Sequence, residues 1–104
     1  MKDKREERQF DPKNYPALRE FCPAYLHQDF EDEYGSAAEA LKGFLADASR
    51  DEILQVKEEW TALRKALRGR PLQEIRRALG RLRSSWVPEN DTELQELDEI
   101  LGRT

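Results

Sequence analysis

Residues 49–67 read SRDEILQVKEEWTALRKAL, a pattern that predicts one long amphipathic helix. Apolar residues recur at intervals of three and four, which places them on one helix face. They are Ile53, Val56, Trp60, Leu63 and Leu67. Ser49 and Glu52 match a capping box, in which serine and glutamate satisfy each other's backbone amides at the start of a helix. Because such a helix is marginal alone in water, its apolar face must pack against other elements.

The same signals recur on both sides of this helix. Ser36 and Thr92 open two further capping boxes, and Pro71 suits the first position of a helix. Pro23 lacks a backbone donor and should kink or split the helix that contains it. Matched apolar stripes predict helices at 17–27, 37–48, 50–69, 72–84 and 93–102. No segment alternates as a strand would, so the sequence predicts an all-α fold, a compact bundle of about five helices.

Length and composition agree with a single folded domain. The chain has 104 residues, of which 38% are charged and 38% are hydrophobic. A chain of this size builds one core. Residues 1–14 mix charges of both signs with little apolar content, so we expect a disordered tail there. Residues 15–104 should form the single helical domain.

Several functional classes find no support in the residue types. The single cysteine, Cys22, excludes an internal disulfide and lacks the paired spacing of a zinc site. No run approaches the roughly 20 apolar residues of a membrane span, and the first ten residues lack the apolar core of a signal peptide. We therefore expect a cytoplasmic protein with no membrane partner, no metal and no cofactor.

Charge is distributed unevenly along the chain, whose net charge is −4. Residues 64–83 carry a local charge of +7, residues 89–99 carry −6, and residues 29–33 carry −4. The basic and acidic C-terminal helices could face each other in the bundle, which would explain both blocks by packing. The other explanation is that the acidic surface meets a basic partner.

Residues 27–35, HQDFEDEYG, join two predicted helices and contain the one histidine of the chain. His27 has no nucleophile or oxyanion donor near it in the sequence, so we predict no catalytic residue and no enzyme activity. A metal site built from this histidine and its neighbouring acids matches no standard ligand spacing. We favour a structural role, in which the Asp29 side chain accepts bonds from nearby backbone amides and fixes the turn.

Residues 25–36 read YLHQDFEDEYGS, in which a His-Gln-Asp core lies between aromatic residues and is followed by an acidic Tyr-Gly turn. This pattern resembles the small helical immunity proteins of bacterial contact-dependent growth inhibition systems. The resemblance runs from about Tyr15 to Leu101, although Leu26 and Phe30 depart from the aromatic residue and the tryptophan usual in the family. The family-motif residues in this chain are Tyr25, His27, Gln28, Asp29, Phe30, Tyr34 and Gly35. We expect them to serve the fold, because they fall on a turn.

The resemblance implies an antitoxin-like protein that binds and neutralises the C-terminal toxin domain of a cognate effector. Many such toxins are nucleases with basic clefts, which an acidic surface could occupy as nucleic acid would. We expect a monomer that binds its toxin one to one through acidic side chains. The candidate partner-binding residues are Asp29, Glu31, Asp32, Glu33, Glu93, Glu96 and Glu99.

Two other functions stay open at this point. The arginines of residues 64–83 could form a nucleic-acid-binding module, or the chain could be a general protein-interaction adaptor. Against the first, the chain is acidic overall and no aromatic residue interleaves those arginines. We therefore expect no nucleic acid among its partners.

Overall fold

The computed structural model describes residues 10–104. In that range the chain forms α-helices and one short 3-10 helix, and no β-strand. A 3-10 helix at Pro12–Asn14 precedes six α-helices. These are α1 (Pro16–Tyr25), α2 (Phe30–Tyr34), α3 (Ala37–Asp47), α4 (Arg50–Ala66), α5 (Leu72–Arg81) and α6 (Asp91–Gly102). The all-α prediction is confirmed, with five longer helices and the short α2, which lies in the segment read as a turn.

The N-terminal part of the chain joins the helical bundle through aromatic contacts. Of the tail predicted at 1–14, residues 1–9 lie outside the described residues. Phe10 stacks on Tyr15 with ring centroids 5.5 Å apart, and the Arg81 guanidinium lies 5.5 Å from the centre of the Phe10 ring. The Phe10 ring therefore connects the start of the described chain to the end of α5.

Helix starts follow the capping signals in two of three cases. At Ser49 both bonds of the capping box form, with lengths of 2.8 and 3.1 Å. The Ser36 hydroxyl caps α3 by accepting from the Glu39 amide at 3.2 Å. The capping box predicted at Thr92 is wrong, because Asn90 caps α6 instead. Asparagine is a stronger N-cap residue than threonine, so the helix begins two residues earlier than predicted, at Asp91.

The two prolines near helix ends behave differently from the prediction. Pro23 lies inside α1 without splitting it, because the helix ends two residues later at Tyr25. Its missing donor therefore costs only one bond near the C-terminus of the helix. Pro71, predicted at the first helical position, is the N-cap residue of α5, and the helix begins one residue later at Leu72.

The apolar stripes of all six helices meet in one core. Among its least exposed side chains are Leu18, Leu41, Leu63, Leu79 and Leu94. Trp60 and Trp86 are also buried in this core. Burial raises the pKa of the Cys22 thiol to about 12, which keeps it protonated and unreactive at neutral pH.

Contacts between helices far apart in the sequence set the arrangement of the bundle. Both α1 and α6 pack against α3 and α4. The Glu59 carboxylate of α4 accepts bonds from the backbone amides of Ala17 and Leu18, at 3.1 and 2.9 Å. It thereby satisfies free donors at the N-terminus of α1, whose own N-cap residue makes no side-chain bond.

The connection after α5 brings the C-terminal half back to the end of α1. Arg83 adopts a left-handed conformation (φ 71°), and the Ser84 amide bonds back to the Leu79 carbonyl at 3.1 Å. These are features of a Schellman motif. The Ser85 amide then donates to the Leu26 carbonyl at 2.8 Å. This bond holds the start of the 27–35 segment against the 84–88 connection.

Candidate functional site

Both ring nitrogens of His27 are engaged in the 27–35 segment. Nδ1 accepts a bond from the Asp29 amide at 3.0 Å, and Nε2 lies 3.2 Å from Oε1 of Glu33. Because Nδ1 is an acceptor, the neutral ring carries its proton on Nε2, which donates to the glutamate. Histidine therefore links the start of this segment to α2, and neither nitrogen is left to act as a free base.

The role predicted for the Asp29 side chain is wrong. Asp29 is the N-cap residue of α2, but its side chain makes no capping bond in the described part of the chain. The backbone carbonyl of Asp29 instead accepts hydrogen bonds from the Asp32 and Glu33 amides, at 3.0 and 3.2 Å. The side-chain acceptor that fixes the turn is the imidazole of His27, which competes well for a local backbone amide.

The aromatic residues of the family motif pack inward or onto the bundle. Phe30 is buried, and Tyr25 lies 6.0 Å from Tyr34, ring centre to ring centre. The Tyr34 ring covers Gly43 so closely that a Cβ there would lie 2.9 Å from its Cε1 atom. Gly35 has φ 92°, a conformation that favours glycine. These contacts support a structural role for the motif, while Gln28 is exposed.

The candidate partner-binding acids lie on the surface. All are exposed except Glu93, which is partly buried. Three of them, Glu31 from α2 and Glu93 and Glu96 from α6, line a shallow groove of about 190 Å³ whose walls include Phe30 and Trp86. We call it the acidic groove. The fold thus brings together carboxylates from two acidic blocks that are far apart in the sequence.

The candidate acids differ in the contacts that they make, both inside and outside the acidic groove. Glu33 contacts His27, and Glu99 forms an exposed pair with Arg103 at 3.8 Å. Glu93 accepts a bond from the Glu89 amide at 2.9 Å. Within residues 10–104, Glu31 and Glu96 form no ion pair, so their charge is directed to solvent.

One acidic residue has a role that the sequence analysis missed. Oδ1 of Asp98 accepts a bond from Nε1 of Trp60 at 2.7 Å, and Oδ2 accepts from Nη2 of Arg64 at 3.0 Å. The cluster ties α6 to α4. The sequence analysis considered that the basic and acidic C-terminal helices face each other. In the structure, the facing ion pair is Arg64–Asp98, which joins α4 to α6. Arg70 instead pairs with Glu74, four residues further along the chain.

The described residues offer no sign of a metal centre or a membrane segment. No group of at least three histidine, cysteine or acidic side chains is placed to hold a metal ion anywhere in residues 10–104. None of the helices in the same range combines the length and the apolar character that crossing a membrane requires.

Comparison with known families gives one match. A family described as CdiI immunity protein matches residues 14–92, which include α1 to α5 and the whole 27–35 segment. The chain belongs to this family. CdiI immunity proteins neutralise toxins, so the resemblance noted in the sequence is confirmed at the level of the family. No curated protein and no solved structure matches the chain.

Proposed function

We propose that the chain binds and neutralises the C-terminal toxin domain of a cognate contact-dependent growth inhibition effector. It does so as a monomer, one to one, in the cytoplasm of the producing cell and without catalysing a reaction. The observation that carries the proposal is the CdiI immunity protein match over residues 14–92. The engagement of both His27 ring nitrogens supports inhibition by binding rather than by chemistry.

The acidic groove supports a basic contact surface on the toxin. Glu31, Glu93 and Glu96 come from two different helices yet line one depression. Like charges held together repel one another and oppose folding, and a basic partner removes that cost when it binds. A depression lined by one sign of charge also focuses the field and speeds the encounter with an oppositely charged partner.

The arginine-rich segment gives less support to nucleic-acid binding. Arg64 is held by Asp98 and Arg70 by Glu74, while the Arg81 guanidinium lies over the Phe10 ring. These side chains already have partners in the fold. The remaining arginines are spread along α5 and its ends, and the chain carries a net charge of −4, which opposes approach to phosphate.

Charge reversal in the acidic groove tests this proposal. The double variant Glu31→Lys, Glu96→Lys should slow association with the toxin domain by about 10-fold at low salt, because it replaces attraction with repulsion. The difference should shrink at about 1 M salt, where charges are screened within roughly 3 Å. Stopped-flow mixing with the cognate toxin domain measures the association rate.

The matched control is Glu58→Lys, an exposed position of α4 that lies outside the groove. Its association rate should stay within about twofold of wild type, since a single remote charge steers encounters weakly. Thermal melts of all variants check that the fold is kept. Equal rates for the double variant and wild type, with normal melting, would rule out the acidic groove as the steering surface.

A further inference from the structure

A second groove lies between α1, α3 and α4, and none of the partner-binding acids proposed from the sequence lines it. Its apolar floor is built from Phe21, Tyr25, Phe44 and Val56, and it encloses about 500 Å³. The Phe44 ring meets Phe21 and Tyr25 edge-on, with ring centres 5.1 and 5.4 Å apart. We call it the aromatic groove. Rings fixed in this way form a rigid apolar surface that needs no ordering when a partner binds.

The rim of the aromatic groove carries only acidic charge. Exposed carboxylates from three helices surround the apolar floor, and no lysine or arginine lines it. They are Glu20, Asp47, Asp51 and Glu52. Among the described residues, none of these carboxylates forms an ion pair. The rim is therefore a negative ring around an apolar centre.

A role in helix formation explains only two of the four rim carboxylates. Asp51 and Glu52 lie in the first turn of α4, where negative charge is favoured by the helix dipole, and Glu52 closes the capping box. Asp47 is the last residue of α3, where the carbonyl end of the helix disfavours a negative charge. Glu20, in the middle of α1, makes no capping contact either.

The tyrosine in the floor reports the same negative potential. The pKa of Tyr25 is raised, first by burial and then by the charges of Asp47 and Glu52 together with Tyr34. Tyr34 is the residue of α2 that contacts Tyr25. Tyr25, the first residue of the family motif, therefore also lines the aromatic groove.

We propose that the aromatic groove is the anchor site for the toxin: it takes a basic segment of the toxin domain, with one large apolar side chain on the aromatic floor and flanking lysines or arginines against the rim. This inference rests on the proposed function and adds where the affinity arises. Binding energy in protein interfaces concentrates in a few buried anchors, whereas exposed charges mainly set the association rate.

Charge also identifies the occupant as a basic partner rather than a second copy of this chain. The rim is acidic and the chain carries a net charge of −4. Two copies that meet through the same surface therefore bring two acidic rims together and repel each other there. A basic segment instead meets four carboxylates that nothing else in residues 10–104 neutralises.

Filling the groove tests the anchor. Gln55→Trp and Ala24→Trp add a large ring from opposite walls, at exposed positions that contribute nothing to the core. Each should raise the Kd for the cognate toxin domain by about 100-fold, the usual scale for a blocked anchor. Gln73→Trp, an exposed glutamine of α5 outside the groove, is the control and should change the Kd by about twofold or less.

The rim is tested by Asp47→Lys, which separates binding from folding. Lysine suits the C-terminal end of α3, so the melting temperature should stay the same or rise. Association with the toxin domain should nevertheless slow by about fivefold at low salt. Glu58→Lys is the matched control. A purely structural role for Asp47 would lower the melting temperature of the variant and leave its association rate unchanged, which would contradict the proposal.

The outcomes separate the two proposals. If the wild type binds the toxin domain and the groove-filling variants bind equally well, the anchor site is wrong and the immunity function stands. If the wild type does not bind, both fail. If the variants alter self-association measured by light scattering and leave toxin binding unchanged, the groove joins two copies of this chain and the proposal is overturned.

Discussion

Trp60→Ala is expected to lower the free energy of unfolding by about 4 kcal/mol. The side chain is buried at the centre of the α4 stripe, and truncating a core tryptophan typically costs about 3–5 kcal/mol. Its indole N–H also donates to Asp98 at 2.7 Å, and that bond is lost with the ring. Since small domains are stable by only about 5–15 kcal/mol, this change removes a large fraction of the free energy of unfolding. Urea titration followed by circular dichroism measures the change.

Two further variants identify the cause of the Trp60 effect. Trp60→Phe keeps one aromatic ring but loses the N–H bond and part of the buried volume, so its stability should fall between those of wild type and Trp60→Ala. Glu58→Ala changes an exposed residue of the same helix and should cost about 0.5 kcal/mol or less. Equal stability of Trp60→Ala and Glu58→Ala would contradict the assignment of the buried face of α4.

Asp98→Ala should have the second largest effect on stability, about 2–3 kcal/mol. The change leaves the buried Trp60 N–H without its acceptor, and a hydrogen bond to a charged group is worth about 1.5–3 kcal/mol. The paired Arg64 side chain is 28% exposed, so solvent screens its lost ion pair and that contact adds little. The measurement is the same urea titration.

Asp98→Asn and Glu99→Ala are the matched variants for this cluster. Asparagine keeps an oxygen acceptor for Trp60 and removes the charge, so it should cost about 1 kcal/mol. Glu99 is the exposed neighbour on α6, and its replacement by alanine should cost about 0.5 kcal/mol or less. A double-mutant cycle with Trp60→Phe should show coupling. Independent, additive effects would contradict a direct Trp60–Asp98 bond in solution.

The parts of the fold that could be predicted from the sequence are those set by local physics. The α4 stripe and the capping box at Ser49 depend on residues within one or two turns, and both are confirmed. At Thr92 a stronger cap two residues earlier decided the helix start. In the 27–35 segment, His27 and Asp29 compete for the same local role, and residue type alone does not say which side chain accepts the bond.

The contacts that could not be predicted join residues far apart in the chain. Glu59 caps α1 across the bundle, and Asp98 turns away from its acidic neighbours toward α4. Both grooves arise in the same way, because each collects side chains from separate helices. The sequence therefore indicates that acidic residues are abundant, but only the fold shows which of them surround an apolar floor.

The most direct test of the proposed function is a calorimetric titration of this chain into the purified C-terminal toxin domain of its cognate effector. We predict a one-to-one complex with a Kd in the nanomolar range or below, about −12 kcal/mol or stronger, as inhibition of a toxin inside the producing cell requires. The absence of a complex at concentrations of about 10 μM, with both proteins folded, would contradict the immunity function proposed for this chain.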